Sequence, residues 1–125
     1  ASFAERILIV GAGQLGELPS WLIQRSTYST LFGVVGYVDD DPKKRNMRIG
    51  QVKVLGPTVS IPELVEKYSI GIIIFAISNA DQTSRDKIKS ICDSTDAKII
   101  VMPDLIKKLE DAFEGFKPNG NGKRR

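Results

Sequence analysis

The 125-residue sequence has no histidine, one cysteine and no apolar run long enough to span a bilayer. Without histidine there is no Ser-His or Cys-His nucleophile pair, no histidine general base and almost none of the common zinc sites. Cys92 alone cannot build a disulfide framework, and a single thiol fits a reducing compartment. The longest apolar run, Ile70 to Ile77, suits a buried strand and is far too short for a membrane helix. Surplus charge is scarce as well. Lys123, Arg124 and Arg125 account for the net +3, and the remaining basic residues equal the acidic ones at 15 each. A nucleic-acid binder carries its positive charge on a folded face, so a neutral body with a basic tail argues against one. No signal peptide is visible, and the start at Ala1-Ser2 without methionine reads as the edge of an excised piece.

What remains is an ordinary globular composition, 42% hydrophobic and 26% charged, at the length of one domain. Short β-rich runs alternate with helical patterns. Arg6 to Val10 is a continuous apolar strand ended by glycine, and Gln14 to Arg25 a helix with Leu15, Leu18 and Leu22 as its inward stripe. Pro19 inside that helix predicts a kink or an irregular opening turn. Further strands are expected at Gly33–Asp39, Val52–Leu55, Ile72–Ile77 and Lys98–Met102.

Helices are expected from Ser60 to Tyr68, Asp81 to Ser94 and Asp104 to Phe116. Ser60-Ile61-Pro62-Glu63 reads as a capping box, with Val59 and Leu64 as its hydrophobic staple. Asp104 reads as an N-cap. Leu105, Leu109, Phe113 and Phe116 form the stripe of the last helix. Residues 1–116 thus form one α/β domain, a Rossmann-like doubly wound parallel sheet of about five strands with helices on both faces. Residues 117–125 form a flexible basic tail or linker.

In such sheets ligands bind outside the carboxyl ends of the strands, where strand order reverses. At the exit of the first strand stands Gly11-Ala12-Gly13-Gln14-Leu15-Gly16, a G-x-G-x-x-G between a strand and a helix. Gly11 permits the tight turn, Gly13 admits a pyrophosphate to the backbone, and Gly16 lets the helix pack closely. The helix N-terminus then offers free amides and its positive dipole end to phosphate. Asp39 ends the second strand 23 residues after Gly16, where a carboxylate accepts hydrogen bonds from ribose hydroxyls. It favours the free 2′-hydroxyl of NAD over the 2′-phosphate of NADP.

Lys43, Lys44 and Arg45 could offset a 2′-phosphate, but a basic run is ordinarily a solvated loop. Asp40 and Asp41, before Pro42, read as turn formers. Ser78, at the fourth strand's exit, touches a ribose or ring or else caps the next helix. Cys92 reads as a buried, unreactive thiol, and Trp21 as a residue that packs or shields the first helix. None of Tyr28, Tyr37 or Tyr68 has a lysine four places on, so a Tyr-x-x-x-Lys catalytic pair is missing. No catalysis by this chain alone is expected.

The segments RILIVGAGQLG, VVGYVDDDPKKRNMRIGQVKVLG, IPELVEKYSIGIIIFAIS and ICDSTDAKIIVMPDL carry a wider resemblance. Over about residues 5–109 the chain resembles the N-terminal Rossmann-like, coenzyme-A-binding-type domain of CapD-like nucleotide-sugar epimerase/dehydratases of bacterial polysaccharide biosynthesis. A similar domain occurs in polyprenyl-phosphate sugar transferases. The resemblance implies a membrane-tethered parent, this domain on the cytoplasmic face, and a catalytic domain following in the same chain. It also implies ligand contacts from Gly11, Gly13 and Gly16 to the phosphates and from Asp39 and Asp40 to the ribose.

The candidate cofactor-binding set is therefore Gly11, Gly13, Gln14, Leu15, Gly16, Asp39, Asp40 and Ser78, with NAD as cofactor and no metal. The expected function is noncatalytic NAD(H) binding beside a nucleotide-sugar epimerase or dehydratase. The alternatives are a coenzyme A or UDP-sugar sensor of a sugar transferase, and a degenerate oligomerisation module that forms a homodimer.

Overall fold

The computed structural model describes residues 5–25, 31–77, 81–102 and 111–114. Six strands form one sheet: β1 (Glu5–Val10), β2 (Phe32–Val38), β3 (Arg48–Ile49), β4 (Val52–Gly56), β5 (Ile72–Phe75) and β6 (Lys98–Val101). The helices are α1 (Gln14–Arg25), α2 (Ile61–Tyr68) and α3 (Gln82–Asp93), with short 3₁₀ turns at Pro42–Lys44 and Thr58–Ser60. Residues 111–114 are helical. Of the last expected helix, Asp104, Leu105, Leu109 and Phe116 lie outside the described residues, as does Ser78.

The strand order is β3-β4-β2-β1-β5-β6, parallel except for β3, which pairs antiparallel with β4. After β1 the chain moves first to one side (β2, β4) and later to the other (β5, β6). Order therefore reverses between β1 and β5, and the crevice opens at their carboxyl ends. This is the expected Rossmann-like α/β sheet, with one strand more. β3 spans two residues joined to β4 through Gly50, whose φ of +64° suits a tight hairpin turn. Two half-exposed residues carry no alternation, so the sequence pattern reads there as loop.

Alternation along β1 divides the core. Leu8 and Val10 face α2 and α3, joining Val38, Ile61, Ile73, Phe75, Ile88 and Cys92. Ile7 and Ile9 face α1, joining Tyr37, Val54, Ile74 and Met102, with Leu15 and Ile23 of the helix packed on them. Burial on both faces explains why β1 and β5 read as uninterrupted apolar runs.

Three local expectations need correction. Of the expected inward stripe of α1, Leu15 packs on the core but Leu18 is 40% exposed, while Gly16, Pro19 and Ser20 are buried and Ile23 half-buried; the side chain of Leu22 lies outside the described residues. Gly16 sets that phase by lying against the loop beneath it, and Leu18, two residues on, is turned to the opposite side. Trp21 is likewise more than half exposed. Pro19 does not interrupt α1, which is continuous from Gln14 to Arg25. Finally, the capping box at Ser60 does not form. Ser60 lies in the right-handed helical region and makes no side-chain cap bond, because the chain is already wound into the preceding 3₁₀ turn. Val59 is 73% exposed and staples nothing. The start of α3 is capped instead by Asp81, which accepts from the Ser84 N–H at 2.8 Å.

Cys92 is buried beneath α3, as expected. Burial, with a smaller push from the Asp93 charge, raises its thiol from the ordinary 9.0 to about 11. The folded state thus holds the thiol proton more tightly than the unfolded chain. Its contribution to stability is complete below pH 9 and is lost as pH rises towards 11. Denaturant titrations between pH 8 and pH 11 should show a loss of about 2 kcal/mol that a Cys92→Ala variant, weaker overall, does not show.

Candidate functional site

The loop from β1 to α1 is built by contacts that leave two of its three glycines no choice. Gly11 has a φ of +110°, and a β-carbon there would come within 2.7 Å of the Ala76 carbonyl oxygen and 2.9 Å of Ile77. The exit of β5 is drawn against it by the Ala76 N–H, which donates to the Val10 carbonyl at 2.8 Å. At Gly16 a β-carbon would collide with the Gly11 carbonyl and crowd Ile9. These two glycines let the strand, the helix and β5 meet.

Gly13 differs. Its φ is ordinary, and the one atom near a β-carbon there would be the Lys44 ammonium, 3.9 Å away. Nothing in the fold requires a glycine at this position. Its missing side chain leaves clear space directly over the turn.

That space lies at the start of α1. The Gly13 carbonyl accepts from the amides of Gly16 and Glu17 at 3.1 and 3.2 Å, so the opening turn is regular despite Pro19. Helix geometry then leaves the N–H groups of Gly13, Gln14 and Leu15 without intrahelical acceptors, at the positive end of the helix dipole. An anion over Gly13 would meet them. The turn is held from below by Tyr37, a fully buried β2 residue whose hydroxyl lies 3.4 Å from the Gly16 carbonyl. Burial raises the Tyr37 phenol, partly countered by a hydrogen bond with Ser20, itself buried. The hydroxyl therefore stays protonated and able to donate.

The three consecutive acids after β2 have separate tasks. Asp39 accepts from the Ala12 N–H through Oδ2 and from the Asp41 N–H through Oδ1, both at 2.8 Å. It ties the glycine loop to the next turn and stands at the crevice with Gly11, Gly13, Gln14, Leu15 and Gly16. Asp40 turns away. Its carboxylate accepts from the Thr58 N–H at 2.8 Å and from the Thr58 hydroxyl at 2.9 and 3.1 Å, anchoring the turn after β4. Asp41 caps the 3₁₀ turn by accepting from the Lys43 N–H at 3.0 Å, the turn-forming role expected of it. Asp40 is thus a structural anchor in this arrangement, although it also lines a cavity of about 310 Å³ with Thr58, Val59, Lys87, Ile88 and Ile91.

Lys44, read in the sequence as part of a solvated run, comes to the loop. Its ammonium donates to the Ala12 carbonyl at 3.0 Å. The signal that could have found it is Asp41-Pro42: a capping acid followed by a proline at the first position winds a short turn that sends the third residue back.

No protein-family profile matches the chain. It is 38% identical over 109 residues to the capsular polysaccharide biosynthesis protein CapD of Staphylococcus aureus, covering 86% of this chain and 17% of that protein. The chain thus spans about one sixth of that relative's length. Among solved structures, UDP-D-quinovosamine 4-dehydrogenase from Vibrio fischeri superposes with a TM-score of 0.71 at 23% identity, over 87% of this chain and 86% of that one. The Rex-family repressor RSP, in its complex with β-NADH, superposes with a TM-score of 0.59 at 17% identity, over 91% of this chain and 65% of that one. Both likenesses establish the fold.

The division of labour among the glycines is open to a direct check. Gly16→Ala should cost about 3 kcal/mol of folding stability through overpacking against the Gly11 carbonyl. Gly13→Ala should cost no more than about 1 kcal/mol, the difference between glycine and alanine at a helix N-cap. Equilibrium urea unfolding of the two variants measures both.

Proposed function

We propose that this chain, 38% identical over 109 residues to the capsular polysaccharide biosynthesis protein CapD, is a Rossmann-like domain of a CapD-like polysaccharide-biosynthesis protein, and that it binds NAD(H) over the Gly13 turn without itself catalysing a reaction. The observation that carries this reading is the fold-neutral glycine. Gly11 and Gly16 are demanded by the packing, whereas a side chain at Gly13 would meet only the Lys44 ammonium, so its absence leaves the turn open to what approaches from outside. The amides of Gly13, Gln14 and Leu15 would receive the pyrophosphate.

Asp39 would take the adenosine ribose. Its two observed bonds leave lone pairs for the ribose hydroxyls, and its charge disfavours a 2′-phosphate. The cavity between Val59, Ile88 and Ile91 begins one residue beyond Asp39 and offers apolar walls for the adenine ring. An NADH-bound structure of the same fold supports the choice of cofactor.

In the parent protein the domain would hold the cofactor, or sense it, beside a separate catalytic domain of a nucleotide-sugar dehydratase or epimerase. That parent would be tethered to the membrane, with this domain on its cytoplasmic face. The match to a protein roughly six times longer leaves room for both.

Calorimetric titration with NAD, NADP, coenzyme A and UDP tests the reading. NAD should bind at micromolar concentration and NADP at least about tenfold more weakly, from the carboxylate facing its 2′-phosphate. Gly13→Val should abolish NAD binding while leaving the thermal midpoint within a few degrees (~1 kcal/mol). Coenzyme A binding in place of NAD would overturn the proposal in favour of a sensor domain. Failure of every ligand at millimolar concentration would mark the crevice as unused.

A further inference from the structure

Three basic residues follow Asp41-Pro42, and the fold treats them differently. Lys43 and Arg45 are exposed; Lys44 is half-buried. Its backbone is fixed at both ends, the amide donating to the Asp41 carbonyl at 2.9 Å and the carbonyl accepting from the Met47 N–H at 3.1 Å. The Asp41 side chain caps the same turn. From this base the side chain reaches back to the β1–α1 loop, and its ammonium donates to the Ala12 carbonyl at 3.0 Å. The same nitrogen stands 3.9 Å from where a β-carbon on Gly13 would be. It therefore borders the space that the glycine keeps clear.

We infer that Lys44 is a ligand-binding residue, supplying the positive charge that meets the diphosphate of a nucleotide seated over Gly13. This rests on the nucleotide reading and adds to it the one full positive charge bonded to the loop among the described residues, set beside the Asp39 carboxylate. An ammonium has three donors. The Ala12 carbonyl takes one, which leaves donors for a phosphate oxygen without breaking the existing bond. Backbone amides alone offer partial charges, whereas a cation makes the shorter and stronger charge-assisted bond. Half-burial keeps that charge from being screened as a surface lysine would be. The loop thus combines geometric donors from the helix with a point charge brought from the far side of the crevice.

The test is NAD titration of the wild type, Lys44→Gln and Lys43→Gln at 50 and 300 mM salt. Lys44→Gln keeps a donor for the Ala12 carbonyl and removes only the charge. It should weaken NAD binding about tenfold or more at low salt and flatten the salt dependence. Lys43→Gln, with the same loss of net charge, should stay within about twofold, since exposed charges are screened.

Equal losses in the two variants would reduce the effect to net charge and overturn the inference. So would Lys44→Gln binding NAD like the wild type while Gly13→Val does not, an outcome that leaves the nucleotide reading standing. A loss confined to NADP would move Lys44 to the 2′-phosphate and equally overturn it. A wild type that binds no NAD removes the inference and the reading together.

Discussion

The close seating of α1 on the Gly11 carbonyl, possible because residue 16 has no β-carbon, organises most of what surrounds the crevice. It sets the rotation of the helix, so that Pro19, Ser20 and Ile23 turn towards the sheet and Leu18 and Trp21 turn out. It also brings the opening turn over the end of β1, where the Tyr37 hydroxyl can reach the Gly16 carbonyl. A proline is tolerated five residues into the helix because the packing that fixes the helix is already made by Gly16, one turn earlier. A general cost of about 3 kcal/mol for an interior proline is small against the burial of an entire helix face.

A second tie comes from Asp39. By accepting from Ala12 and Asp41 it couples the glycine loop to the turn that carries Lys44. Lys44 returns the connection through the Ala12 carbonyl. Ala12 is therefore gripped on both its polar groups by residues that follow β2. The loop and the turn behave as one preorganised unit, which lowers the ordering cost of any ligand held between them. Asp40, adjacent in sequence, stabilises a different junction, the one between β2 and the turn after β4. Neighbouring carboxylates of equal charge are separated by backbone direction alone.

Much of this was legible in the sequence, and the rest was hidden for identifiable reasons. The strands with two buried faces, β1 and β5, announced themselves as apolar runs, and the glycine spacing marked the crevice. The phase of α1 was only partly legible, since Leu15 packs on the core and Leu18 does not. Three leucines at helical spacing outweighed a single glycine, although the glycine makes the closest contact. The capping box failed because Thr58, held by Asp40, starts the winding one turn early, a long-range bond that no local pattern reports. Lys44 was hidden by its neighbours: three basic residues in a row look alike until the capped turn at Asp41 assigns them directions. Asp40 was hidden by the opposite ambiguity, since two adjacent acids look alike in the sequence, and only the bond to Thr58 separates them.

The contrast between Gly13 and its two partners also weighs against an unused crevice. Had the domain kept its fold only for contacts with other surfaces, Gly11 and Gly16 would still be needed, because the sheet and α1 cannot meet without them. Gly13 would not. A side chain there would meet only the Lys44 ammonium, so the fold favours glycine over alanine by no more than the N-cap preference, about 1 kcal/mol. The open position and the aimed charge arise from different segments of the chain, and an anion in the space between them would meet both.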